Sequence, residues 1–162
     1  MELLGRVEGL RAATTEIPWS GSPVRILEHR AHSPGHAALL VRSSRVLVAG
    51  DMLSDTLVPF LDLRACDPIG DYLTALELLE SVAHEVDVVV PGHGSIGGAA
   101  EFRARLEQDR TYVEALWNGA DVDDPRIGPD APLDWMRDVH EGQRTRLAEK
   151  AESSPDDKEP SP

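Results

Sequence analysis

The sequence predicts an α/β fold, a mixed sheet with covering helices, on three observations. Short runs rich in Val, Leu and Ala recur between residues 24 and 90, a stripe of apolar residues at helical spacing interrupts them after residue 68, and a second helical stripe follows residue 98. The runs are apolar on both faces. Strands of that kind belong inside a layered structure, covered on each side, and not on a sheet with one wet face.

The elements follow in order. Pro23–Arg30 (PVRILEHR) alternates in part, His36–Arg42 (HAALLVR) is apolar almost throughout, and Arg45–Gly50 (RVLVAG) comes after Ser43 and Ser44, a turn short enough for a hairpin. Asp67 and Pro68 start a helix over about 69–84, in which Ile69, Tyr72, Leu73, Leu76, Leu79 and Val82 share a stripe. Val86–Val90 (VDVVV) is a short buried strand that runs into the loop PGHGSIGG, residues 91–98. A second helix spans about 99–117, with Phe102, Leu106, Val113, Leu116 and Trp117 inward and Asn118-Gly119 as its stop. Residues 121–131 (DVDDPRIGPDA) have loop composition, and a third helix over about 132–149 offers Leu133, Met136, Val139 and Leu147 to a partner surface. Residues 152–162 contain no apolar side chain to offset the entropy of ordering, so 151–162 is expected to be a disordered acidic tail.

The 162 residues suffice for one domain. A formal charge of −13 repels nucleic acid and anionic membranes, which excludes both as expected partners. Cys66 is the one cysteine, so there is no intrachain disulfide and no thiolate metal cluster, which fits a reducing, cytoplasmic setting. The apolar runs fall well short of the roughly 20 residues that cross a bilayer, and residues 1–15 lack the apolar core of a signal peptide.

The loop after Val90 admits two chemistries. Gly92, Gly94 and Gly97 fit the spacing GxGxxG of a dinucleotide cradle, with a strand before and a helix after. That reading also needs a second parallel strand ending in an acidic residue about 20 positions on. Here those positions lie inside the second helix. In the other reading His93 is a metal ligand, and it has company: HSPGH (32–36) ends where a buried strand begins, and AGD (49–51) ends one. Three strand termini carrying His, Asp and His are positioned to converge at one sheet edge.

The order HSPGH, VAGD, VVPGHG resembles the second half of the metallo-β-lactamase superfamily, over residues 23–98. The resemblance implies half of an αββα sandwich, a metal-dependent hydrolase, and one or two divalent metals, usually zinc. It makes His36 a ligand of the first metal, Asp51 the bridging and catalytic carboxylate, and His93 a ligand of the second metal. Gly92 and Gly94 beside the metal let backbone and substrate approach it closely, and His32 and Asp55 are placed as supporting or pocket residues. Residues 99–150 resemble the helical C-terminal portion of some members. Imidazole and carboxylate suit zinc, whose Lewis acidity assists hydrolysis of small-molecule esters, thioesters, lactones, amides or phosphoesters.

The superfamily's dominant signature, HxHxDH, has no counterpart here, which makes residues 1–22 a lead-in cut from a larger domain. One terminal histidine per metal and a shared Asp51 do not complete a zinc site of three protein ligands plus water. The expectation is therefore a fragment with weak metal binding and little or no activity alone. The strands would also lack cover, leaving an apolar sheet face for self-association. The competing reading is a non-catalytic or vestigial module that binds a partner through that face. The remaining candidates receive ordinary roles: His29, His84 and His140 as surface or packing residues, Cys66 as a partly buried one, Asp121, Asp123 and Asp124 as solvated, and Trp117 and Trp135 as core.

Overall fold

Branched and small residues in short runs extend, and they do so here as β1 (Val24–His29), β2 (His36–Val41), β3 (Val46–Gly50) and β4 (Val88–Pro91). The computed structural model describes residues 9–11 and 13–153. A two-residue strand, β5 (Gly97–Gly98), completes a sheet of order β1-β2-β3-β4-β5. All pairs are antiparallel except β3 with β4. That parallel step is bridged by α1 (Pro68–Ser81) and a short 3-10 turn (Ala83–Glu85). Asp67 caps α1, its Oδ1 accepting the Gly70 N–H at 2.8 Å, and Pro68 takes the first helical position, where no N–H is needed.

α2 (Ala99–Asn118) ends at Gly119, which adopts a left-handed φ of 62°, the stop that the Asn-Gly pair predicts. α3 (Met136–Ser153) begins later than expected, because residues 132–135 serve as loop. Among the described residues no helix is long and apolar enough to cross a membrane. The predicted tail at 151–162 begins as helix to Ser153, and the rest of it lies outside the described residues, as do parts of the 1–22 lead-in.

One sheet face is covered. Leu27, Ala38, Leu40, Leu47, Ala49 and Val89 are buried against Leu76 and Leu79 of α1 and Phe102, Leu106 and Val113 of α2. The opposite face carries a cross-strand row, Ile26, Leu39, Val48 and Val90, aligned by the register, with Val48 37% exposed. Among the described residues, cover is thus missing from that face alone.

Candidate functional site

The sheet edge where β2 begins and β3 and β4 end collects the predicted residues. Asp51 follows β3 directly, His93 lies in the loop after β4, and His32 and His36 flank the turn into β2. The Asp51 carboxylate faces an imidazole with each of its oxygens. His32 Nε2 is 3.5 Å from Oδ2 and His93 Nε2 is 3.5 Å from Oδ1. His32 Nδ1 lies 3.3 Å from the Phe60 carbonyl, which can only accept, so that nitrogen carries the proton. In the neutral ring Nε2 then presents a bare lone pair to a carboxylate oxygen. Two acceptors facing each other repel unless a proton or a metal cation lies between them.

His36 sits differently from the expected ligand position. Its Nε2 accepts the backbone N–H of Asp51 at 3.2 Å, so its lone pair supports the strand end and does not face the carboxylate. Burial, then the neighbouring His32, lower its pKa, against the pull of Asp51. Of the two, the expected supporting residue His32, and not His36, turns its Nε2 toward the Asp51 carboxylate.

The loop bearing His93 is pinned from beneath. Asp55 Oδ1 accepts the Ser95 N–H at 2.8 Å, Arg105 Nη1 donates to the Ser95 carbonyl at 2.8 Å, and Arg105 Nη2 pairs with Asp55 Oδ2 at 3.4 Å. Burial raises the Asp55 pKa, but the Ser95 hydrogen bonds and the Arg105 charge outweigh it and hold the carboxyl below its ordinary value. Gly94, at φ 98°, passes so close to Asp55 that a Cβ there would fall on the carboxylate. At Gly92 a Cβ would stand 2.8 Å from Asp51 Oδ1. The chain then turns back to pair β5 antiparallel with β4, so this loop does not open straight into a helix as a dinucleotide cradle does.

Deeper down, Arg126 is 1% exposed and joins Asp109 at 2.6 Å and Asp124 at 2.7 Å. It also donates to the carbonyls of Ser54 and Leu57, and Asp109 accepts the Leu53 N–H. Leu53, at φ 60°, is a strained residue that these contacts hold in place. Burial lowers the Arg126 pKa and its two carboxylates more than reverse this, so the guanidinium stays charged. Asp124 is accordingly an ion-pair partner and not a solvated residue. Sequence reasoning passed over Arg105 and Arg126. Their signal was an arginine inside an apolar helical stripe and another in an Asp-Pro-Arg turn, and neither reveals its partner.

A cavity of about 320 Å³ opens over Asp51, with His32, His93 and Gly94 at its floor. Leu57, Phe60, Leu133 and Trp135 form a wall, and Thr56 contributes a hydroxyl. Trp135 is 46% exposed and Trp117 66%, so neither is a core residue. Cys66 is exposed, whereas His29 and His140 are buried.

The donor types fit divalent zinc. Two ligands of one tetrahedral ion at 2.0–2.1 Å stand about 3.4 Å apart, close to the 3.5 Å between each imidazole and its carboxylate oxygen. The fit stops at two donors per ion: no group of three or more His, Cys, Asp or Glu side chains among the described residues is placed to hold one.

The sequence profile of the metallo-β-lactamase superfamily matches residues 6–93, more than half of the chain. Among solved structures, the chain is similar to a metallo-β-lactamase family protein from Thermus thermophilus, at 24% identity and TM-score 0.54, covering 84% of this chain and 44% of that one. It is similar to a β-lactamase domain protein from Burkholderia ambifaria at 24% identity and TM-score 0.55, covering 88% and 46%. An inverting sec-alkylsulfatase from a Pseudomonas species matches at 17% identity and TM-score 0.53, covering 64% and 17%. These likenesses concern the fold. The chain spans less than half the length of each of these structures. No curated protein matches it.

Proposed function

The chain belongs to the metallo-β-lactamase superfamily, and from that premise we propose that His32, Asp51 and His93 form one side of a metal-dependent hydrolase site. The observation that carries this is the Asp51 carboxylate, with one imidazole Nε2 at 3.5 Å from each oxygen. Asp51 would bridge two divalent ions, His32 would be a terminal ligand of one, and His93 of the other. His36 holds the Asp51 backbone, and the Asp55–Arg105 pair holds the His93 loop.

Zinc bound here would supply Lewis acidity toward a carbonyl or phosphoryl oxygen and make water a nucleophile near neutral pH. In the hydrolysis a bond forms from water oxygen to the acyl or phosphoryl centre, the bond to the leaving atom breaks, and the released proton goes to the leaving group. Esters, thioesters, lactones, amides and phosphoesters all satisfy that scheme, and we place the reaction in the cytoplasm. With two donors per ion in this chain, metal is held weakly and turnover by the chain alone is low.

Zinc titration of the full chain, followed by calorimetry, tests the reading. We expect weak binding, weakened at least about tenfold by each of His32→Ala and His93→Ala and abolished by Asp51→Asn. Zinc uptake unchanged in Asp51→Asn would overturn it. A second reading, a partner-binding module, draws on the open row Ile26, Leu39, Val48 and Val90. Self-association that Val48→Glu abolishes, without zinc dependence, would favour it.

A further inference from the structure

We infer that Gln143, on α3, is a positioning residue that fixes the tautomer of His32 by holding the Phe60 carbonyl in place. The inference rests on the hydrolase reading for its use, since it concerns how a ligand nitrogen is kept bare for a metal.

Residues 58–62 lie outside regular secondary structure, so among the described residues no sheet neighbour orients their peptides. One buried side chain takes that part. Gln143, 5% exposed, accepts the Leu61 N–H on Oε1 at 2.8 Å and donates from Nε2 to the Pro59 carbonyl at 2.9 Å. It grips the chain on each side of Phe60, as the backbone of an adjacent strand would. The amide cannot be turned over, because an N–H only donates and a carbonyl only accepts. Nε2 also donates to the Tyr112 hydroxyl at 3.2 Å, which lies 3.1 Å from His140 Nδ1, so α2 and α3 together fix the amide.

The other edge of this stretch meets the turn that carries His32. Asp62 donates its N–H to the Ala31 carbonyl at 3.3 Å, and the Phe60 carbonyl faces His32 Nδ1 at 3.3 Å. The bonds alternate along the chain, 59 and 61 to Gln143, 60 and 62 to residues 32 and 31, as they do along a strand. Gln143 lies outside residues 6–93, so this control comes from beyond the segment that matches the superfamily profile.

Two forms of the neutral imidazole compete. With the proton on Nδ1 the ring donates to Phe60 and leaves Nε2 bare. With the proton on Nε2 it donates toward the Asp51 carboxylate, 3.5 Å away, and turns a bare Nδ1 on a carbonyl that cannot donate. Only the first form can ligate a metal through Nε2. The contact to Phe60 is already 3.3 Å, so a carbonyl displaced by about 0.3 Å no longer accepts a hydrogen bond, and the bias toward Nδ1 is lost.

The test uses the full chain with its histidine rings labelled with 15N, metal-free, at pH 8.5, about two units above an ordinary imidazole pKa. The signals of His32 are those missing from His32→Ala. We expect the parent to hold mostly the Nδ1–H form, the reverse of free histidine in water. Gln143→Met, of similar length but without the amide, should move the ratio of the two forms at least about threefold toward Nε2–H, the scale of one loosened hydrogen bond. Gln143→Asn, too short to reach both peptides, is carried in parallel should the first variant not fold, and should move the ratio the same way. Lys150→Met also cuts a tie from α3 to a loop, the 2.7 Å bond to the Ala65 carbonyl, and should leave the ratio at the parent's value. Melting is recorded for each variant. A parent that holds mostly Nε2–H, an unchanged ratio in either folded Gln143 variant, or an equal shift in Lys150→Met would each overturn the inference. Zinc titration separates the two claims: no zinc uptake, with the ratio moved by Gln143→Met, sinks the hydrolase reading alone, whereas zinc uptake that depends on His32, with the ratio unmoved, sinks this inference alone.

Discussion

Asp55 accepts a backbone N–H two residues beyond His93 and pairs with a guanidinium that holds the carbonyl of the same peptide segment. Replacing it with Asn keeps the shape and removes the charge. A hydrogen bond to a charged acceptor contributes about 1.5–3 kcal/mol, so Asp55→Asn should speed amide hydrogen exchange at Ser95 about 10- to 100-fold with little change at buried Leu47. Unchanged exchange at Ser95 would show that the loop needs no such anchor. The same scale sets what could be read from sequence. HSPGH places two imidazoles four positions apart, and Asp51 and His93 were both legible as residues at strand ends. Which imidazole faces the carboxylate depends on the turn that delivers the Asp51 N–H to His36, and spacing carries no information about that. Arg105 and Arg126 were illegible for a related reason: their burial is offset in part by partners distant in sequence, the Leu53 carbonyl 52 residues from Arg105, and Asp109 and the Ser54 carbonyl 17 and 72 residues from Arg126.

The elements themselves were more legible than their edges. Apolar runs and the Asp-Pro start gave β1 to β4 and α1, since burial and capping act over a few neighbouring residues. β5 was invisible because two glycines have no side-chain pattern. They pair with β4 where Gly97 lies so close to Glu101 and Val89 that a Cβ would meet them at 2.8 and 3.2 Å. α3 starts at Met136 because 132–135 closes the cavity wall. The β1–β2 hairpin makes a prediction of its own. It sets His29 opposite His36, with ring centroids 4.7 Å apart, and leaves both His29 nitrogens buried without a partner among the described residues. Burial, then the charges of His36 and His32, lower the His29 pKa to about 4. The unfolded chain takes up this proton near pH 6.5 and the folded chain only near 4, so stability is highest above about 6.5 and falls as the pH drops toward 4. The loss from this group is up to about 3 kcal/mol. Urea melts at pH 7.5 and 4.5, with chelator present, should show it, and His29→Phe should flatten the difference. A slope equal to that of the parent would mean another group carries the acid sensitivity.

At the scale of the whole molecule, one sheet face has two helices over it and the other shows Ile26, Leu39, Val48 and Val90 in a row. The chain also aligns over 84–88% of its own length with structures of which it covers only 44–46%. Burial of the inner face gives the hydrophobic drive, at about 25 cal/mol per Å², that folds the sheet against α1 and α2. The outer row receives less of it: Ile26, Leu39 and Val90 are only half-buried and Val48 is 37% exposed. Net charge of −13 spreads repulsion over the surface and opposes stacking of two such faces, so apolar attraction and electrostatic repulsion compete, and salt decides between them. At low ionic strength the face should stay open and bind a neutral hydrophobic dye such as Nile red. An anionic dye would confuse the result by being repelled. As salt rises toward about 0.5 M, screening should let the faces meet, and sedimentation should show dimers while dye fluorescence falls. Val48→Glu, at the most exposed position of the row, should lower dye binding at low salt and prevent the dimer at high salt. Because that side chain is already 37% exposed, the variant should melt within about 1 kcal/mol of the parent. Dye binding that is absent in the parent, or a dimer that forms equally well in Val48→Glu, would show that this face is not the one left open.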